Sequence, residues 1–345
     1  MPNLNDTAVS DDNSSSSSLV VMPHMIRFWS YLFSDILSLL CIIFTLCCLL
    51  HDRALRQALH NHVIIVLLII GFIYELTDIP WLIRDSHYNV PWSASPTFYL
   101  FWVFFDYAFY SLQIALFAWA TIERHILIFH ESWVGTKKKR FFVHYAPIGA
   151  IIIYYIIYYS MVHFVPTCEN SFDAFLAGSV FIPCAFNRTF LGLWDLIAHQ
   201  VIPTFIIVIF CAALLLRVVL QKKRINQRME WRKYRKMTIQ LLIISTVYMM
   251  FNAPWVLTIF AYQYGLLDGI ANVLLMYMGF LSYYVVFSFP FVCCLSLPEL
   301  RTKVKPMLLC GRRQRKIRVL TGTRALALTP GSRVVPGITI AATKV

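Results

Sequence analysis

Seven long blocks of apolar residues leave this chain little choice of solvent. They run about 28–50, 61–83, 98–129, 142–164, 191–219, 237–262 and 270–296. Each is near or above the roughly 20 residues that carry a helix across the hydrocarbon of a bilayer. In lipid the backbone is satisfied only by helices or closed barrels. Barrel strands would be short and alternating, whereas these blocks are long and continuous, so they predict helices. Charged residues are 14% of the 345, far below the quarter or so of a soluble domain. The expected fold is an all-α membrane protein, a seven-transmembrane helix bundle.

Charge sets the expected topology. The connections after the first, third and fifth blocks carry Arg53 and Arg56, then Lys137, Lys138, Lys139 and Arg140, then the run Lys222 to Lys236. The segment after the seventh adds Arg301, Lys303, Lys305, Arg312, Arg313, Arg315, Lys316 and Arg318, whereas the opposite side holds only Arg27, Arg84 and Arg188. The positive-inside rule then expects the N-terminus outside and the C-terminus in the cytosol of a multi-pass plasma-membrane protein. The net charge of +13 thus sits where topology signals belong, and no nucleic-acid partner is expected. The glycosylation acceptors Asn5, Asn13 and Asn187 all fall on the expected outer side. Residues 1–25 are polar and serine-rich, and read as a disordered, glycosylated extracellular tail with no basic segment of a signal peptide.

A charge at membrane depth costs at least about 2.5 kcal/mol, so each one asks for a reason. The third block ends in Glu123-Arg124-His125. There an adjacent acid and base can neutralise each other and pack inward, or snorkel to water. Asp106 stands eighteen residues earlier, which is five helical turns and about 27 Å along the axis, so the two side chains share a face. Glu75 and Asp78, three residues apart, share a face of the second helix. Asp195 tops the fifth. The outer halves of the blocks hold these acids and no Lys or Arg before the rim residues Arg27 and Arg84. Acids without bases in a cleft attract a cation. The alternative is that some are protonated, or bond to Tyr and His such as Tyr74, His163 or His199, and only hold helices together.

Glu123-Arg124-His125 resembles the Glu/Asp-Arg-Tyr motif that ends the third helix of rhodopsin-like G-protein-coupled receptors. The resemblance covers about residues 28–310. Pro203, Pro254 and Pro290 look like the prolines of that family's fifth, sixth and seventh helices, and would supply local breaks that let helices swivel. Leu297-Pro298-Glu299-Leu300-Arg301 resembles the start of the family's short membrane-lying helix. That implies a receptor domain over 26–297, an amphipathic helix over 298–310 and a basic, disordered cytosolic tail over 311–345. The chain is a divergent member by this reading. Phe251-Asn252-Ala253-Pro254 stands where the family has Cys-Trp-x-Pro, and Phe289-Pro290-Phe291-Val292-Cys293 where it has Asn-Pro-x-x-Tyr. Gly71 occupies the place of the second-helix aspartate, so the family's sodium site is not expected.

The resemblance adds roles to the outer acids. Asp106 falls where amine receptors pair an aspartate with the ligand ammonium, and Tyr283 at the seventh-helix tyrosine that partners it. Trp102, one turn above Asp106, either covers a bound cation or belongs to packing and the interfacial belt with Trp81, Trp92 and Trp194. The family ties its fourth-to-fifth loop to a cysteine atop the third helix; that position falls near Tyr99 here. The resemblance therefore implies an intraloop bridge between Cys168 and Cys184, adding about 3 kcal/mol in the chain-entropy model; two free thiols are the alternative. Cys310 is a candidate for palmitoylation, and the basic tail for anionic membrane lipid. Thr343-Lys344-Val345 has the form of a ligand for a PDZ-type domain.

The resemblance implies a cell-surface receptor that converts binding of a cationic peptide or amine into activation of a heterotrimeric G protein. A light-sensing opsin would need a lysine in the seventh block, and 270–296 has none. A proton- or cation-coupled transporter or channel is the rival from another class, with the intramembrane acids as its path. No zinc motif, nucleophile elbow or phosphate loop appears, so neither an enzyme nor a bound cofactor is expected.

Overall fold

The structure, a computed structural model, describes residues 22–88, 95–165, 168–170, 183–187, 189–224, 228–266 and 270–296, without the side chains of 131, 218–224, 228–241, 271–272 and 296. Asn5, Asn13, Cys310, Trp92, the segments 298–310 and 311–345, and all the side chains of the run 222–236 lie outside the described residues.

Among the described residues seven helices are long and apolar enough to cross a membrane: α1 (His24–His51), α2 (Leu59–Tyr88), α3 (Pro96–Phe129), α4 (Lys137–Phe164), α5 (Phe190–Arg217), α6 (Leu242–Gln263) and α7 (Val273–Leu295). Side chains that accept from the orphan N–H groups of the first turn set several of their starts. Ser95 accepts from the Phe98 N–H, with Pro96 in the first turn where its missing N–H costs nothing. Thr136 and Thr189 cap α4 and α5 in the same way.

The helices are amphipathic in reverse. On α1 the buried residues are Arg27, Tyr31, Asp35, Ser38, Ile42, Thr45 and Leu49, one stripe at helical spacing that carries most of the polar groups. Ile36, Leu37, Leu40 and Ile43, between them, are exposed. In water this surface would be a large apolar patch; against lipid tails it is the matching solvent. Packing joins α1 to α2 and α7, α2 to α3, α6 to α5 and α7, and α3 also to α4 and α5, so α3 is the central helix and α1 closes on α7.

Two π-helical turns interrupt the regular pattern, Phe141–Tyr145 in α4 and Leu196–Val201 in α5. The second ends just before Pro203, which has no N–H to give its helix; the wider turn absorbs that missing bond. α7 breaks at Tyr283, between helical runs Ala271–Ser282 and Tyr284–Ser296. Helix continues through Pro254 and Pro290, so the seventh-helix break falls at Tyr283 rather than at its proline.

Candidate functional site

A cavity of about 100 Å³ opens among α3, α5, α6 and α7, at the end of the bundle where α4 leads into α5. Asp106 of α3 and Asp195 of α5 both reach it, and among the described residues no Lys, Arg or His lines it. Trp255, Val256, Ile259 and Leu275 give it an apolar floor and side. Ser111, Gln200, Gln263 and Tyr283 supply neutral polar groups. A few convergent polar groups on an apolar wall are the usual make-up of a small-molecule site.

Asp106 is held from two sides. Its Oδ1 accepts from the Tyr74 hydroxyl of α2 at 2.7 Å and from the Tyr283 hydroxyl at the α7 break at 3.0 Å. Tyr74 and Tyr283 are themselves buried in a cluster of Tyr31, Trp102, Val103 and Phe287. The carboxylate is thus fixed, and its direction is set by three helices. Asp195 is fixed by the Tyr159 hydroxyl at 2.9 Å and by His199 Nδ1 at 2.9 Å. The Tyr159 oxygen also lies 2.8 Å from Ser111 Oγ, which Gln200 Nε2 approaches at 2.9 Å. The π turn places both His199 and Gln200 inward.

The other sequence candidates divide. Glu75 and Asp78 are both buried on α2 but turn to different partners. Glu75 accepts from Ser38 of α1 at 2.6 Å and lies near Asp35. Asp78 faces Tyr74, Trp102 and Asp106. Trp102 is buried between α2 and α3 rather than at the surface, whereas Trp194 is half exposed. Among the described residues that line the cavity, Trp102, Glu75 and Asp78 are absent. Asp78 and Trp102 stand next to each other by Asp106, and Glu75 faces α1.

A bridge of Cys168 to Cys184 closes the fourth-to-fifth connection, with Cα atoms 6.1 Å apart. Two residues beyond it Phe186 enters the cavity wall. Its ring packs on Tyr107, Tyr159 and His163, and its carbonyl accepts from Gln263 of α6 at 2.8 Å. Asn187 is exposed, and accepts from the Tyr262 hydroxyl at 3.3 Å.

At the far end of α3, Glu123 and Arg124 are both buried. Arg124 lies near Glu123 and Cys293 of α7. Glu123 is hydrogen-bonded to His144 of α4. His125 is half-buried and packs against Phe129 and against Phe210 of α5.

Two residues escaped the reading of the sequence. Asp35 is a fifth buried acid, on the inward stripe of α1; an acid inside the first apolar block was the available signal. Asn252 is the second. It is wholly buried, accepts from the Tyr110 hydroxyl of α3 at 2.7 Å, and gives an N–H to Thr204 of α5 at 3.3 Å. Tyr110 also lines the cavity, so Asn252 ties three helices together at its base. An amide at membrane depth two residues before Pro254 was the signal.

No family model matches the chain, and no curated protein matches its sequence.

Proposed function

We propose that this protein is a cell-surface receptor of the rhodopsin-like G-protein-coupled type. It takes a cationic ligand, an amine or a peptide with a basic residue or free amino terminus, into the cavity and activates a heterotrimeric G protein from the opposite, basic end. The observation that carries the reading is a cavity with a carboxylate on each of two helices and no basic residue among its described lining. Such a wall selects positive charge.

The same geometry supports a route for the signal. Asp106 is bonded to the α7 break through Tyr283, and the Tyr110–Asn252–Thr204 chain joins α3 to α6 and α5. An ammonium at Asp106 would compete with Tyr74 and Tyr283 for the carboxylate. It would bias the bundle between two packings, with α6 closer to or farther from Arg124, which is a population shift.

The test is nucleotide exchange on co-expressed G proteins, with a panel of amines and neuropeptides and the Asp106→Ala variant as control. Exchange driven by an amine or basic peptide, and lost in Asp106→Ala, supports the reading. Full potency in Asp106→Asn would overturn the cation site.

One observation favours a second reading. Asp35, Glu75 and Asp78 extend the buried acids from Asp106 across α2 to α1, as a proton- or cation-coupled transporter would require. Ion flux into proteoliposomes without nucleotide exchange would select it over the receptor.

A further inference from the structure

Arg27 reads in the sequence as a rim residue, yet the bundle buries it. It is 2% exposed, and its Nε and Nη1 have no hydrogen-bond partner among the described residues. One turn below, on the same inward stripe of α1, Tyr31 is wholly buried and its hydroxyl is also without a partner. The last turn of α2 lies alongside, where the His87 ring packs on Phe28 with centroids 4.6 Å apart. In that turn Ser86 is wholly buried, and its hydroxyl is a third group without a partner. His24 Nδ1, one turn above Arg27, is a fourth.

These groups share one chemistry. A guanidinium can only donate, and each hydroxyl has a proton to give. A buried donor without an acceptor is costly, most of all when it is charged. The charges say which sign of acceptor fits. Asp85 of α2 faces Arg27, but no ion pair joins them among the described residues, and Asp85 also faces the exposed Arg84. Two guanidiniums thus stand against one carboxylate. Asp78 and Asp106 face Tyr31 as well. Asp78 stands seven residues before Asp85, about 10 Å down the α2 axis. A negative group beside Arg27 is attracted by both guanidiniums and stays at the shallow side of the deeper acids.

We propose that Arg27 and the Tyr31 hydroxyl hold one small inorganic anion, chloride or its like, at the cavity end of α1 and α2. Size selects it. Arg27, Tyr31 and Ser86 are shut off from solvent, so a carboxylate or phosphate on a larger body has no room to follow its charge inward. Arg27 is also absent from the described lining of the cavity, so the anion is not one end of a ligand held at Asp106. The site does not depend on the receptor reading. Tyr31 packs its ring on Phe280 at 5.0 Å and edge-on against Tyr283 at 5.7 Å, and the Tyr283 hydroxyl is bonded to Asp106. The bound anion therefore braces α1 against the α7 break.

The probe is chloride itself. Melting of the purified full chain, in nanodiscs of zwitterionic lipid, is followed as chloride replaces gluconate from about 1 mM to about 300 mM at constant ionic strength, so that screening stays the same. An ion that binds only the folded chain raises its melting temperature. A rise of about 2 °C or more is expected, and bromide should reproduce it. Arg27→Met keeps an unbranched apolar stem and removes the charge. It should melt alike in both salts, and in gluconate at or above wild type, because a buried charge without a partner is gone. Arg84→Gln, at the same end but exposed, should keep the wild-type response. Tyr31→Phe should need about tenfold more chloride for half the rise, the loss of one hydrogen bond to a charged group. A wild type that melts alike in chloride and gluconate overturns the proposal, and a lipid phosphate at Arg27, present in every nanodisc, would give that result. So does a response that survives Arg27→Met or that Arg84→Gln abolishes. Should Arg27→Met fail to fold, Tyr31→Phe decides, and an unshifted half-point overturns the proposal.

Discussion

Single buried polar residues decide most of what is specific in this bundle, because lipid gives no hydrophobic force between helices and polar bonds supply part of the glue. Asn252 is the sharpest case. Replacing it with Leu keeps the branched outline but takes the acceptor from the buried Tyr110 hydroxyl and the donor from Thr204. A buried group that loses its partner costs about 1–3 kcal/mol, so Asn252→Leu should melt several degrees below wild type. Adding Tyr110→Phe removes the hydroxyl that has lost this acceptor and should recover part of that loss. A double variant no more stable than the single one would refute the pairing. Spacing along one helix found Asp106, because eighteen residues before an inward Arg124 is a whole number of turns. Tyr74 and His199, expected among the groups that could bond to these acids, do bond to Asp106 and Asp195; Asn252 and His144 were not legible as partners, since nothing in one helix's periodicity says which residue of another helix lies opposite.

At the scale of elements, the tightest constraint is where α5 begins. A Cβ on Gly192 would stand 2.2 Å from the Phe186 carbonyl oxygen and 2.8 Å from its carbon. The obstacle is backbone, so the loop or the helix must move. Gly192→Ala should therefore destabilise by about 1–3 kcal/mol, in the range of overpacked sites. It should also strain the Gln263 bond to Phe186, and the Cys168–Cys184 bridge should become easier to reduce, as read by thiol alkylation under graded reductant. Wild-type melting and wild-type reduction together would show that the loop yields freely. In the same segment, Cys168→Ser with Cys184→Ser should cost about 3 kcal/mol if loop-closure entropy is the main term. Elements were the most legible level of the sequence. All seven blocks form helices long and apolar enough to cross a membrane, because apolar length is a local property that nothing tertiary overrides. The one-turn helix Arg53–Gln57, the π turns and the α7 break at Tyr283 were not legible. They depend on caps such as Asp52 and on bonds across helices, not on hydropathy.

The whole molecule is a set of opposites. Its lipid-facing surface exposes Leu40, Leu216, Leu257 and Leu295, while its interior holds Asp35, Glu75, Asp78, Asp195, Glu123 and Arg124. Apolar length and the sidedness of Lys and Arg made that inversion legible from sequence. The closing of α1 on α7 and the cavity were not, since they arise only when seven helices pack. Orientation is where the scales meet. The bundle's two ends differ in chemistry: the connections after α1 and α3 carry Arg53, Arg56 and Lys137 to Arg140, while the cavity end carries Asn187, the bridged Cys168–Cys184 loop and the two cavity acids. Disulfides and N-glycans both form on the lumenal side, and positive loops stay cytosolic, so the orientation expected on all three counts has the cavity outside. Asn187 is exposed, and its acceptor motif leads directly into the α5 cap at Thr189. Expressed in animal cells, the chain should lose mass on treatment with an N-glycosidase. A variant with Asn5→Gln and Asn13→Gln should still lose the mass of one glycan, and Asn187→Gln added to it should lose none. A glycan acceptor inserted beside Lys137–Arg140 should stay unmodified. If the inserted site were glycosylated and Asn187 were not, the bundle would be inverted, and an acid-walled cavity facing the cytosol would suit a transporter better than a receptor.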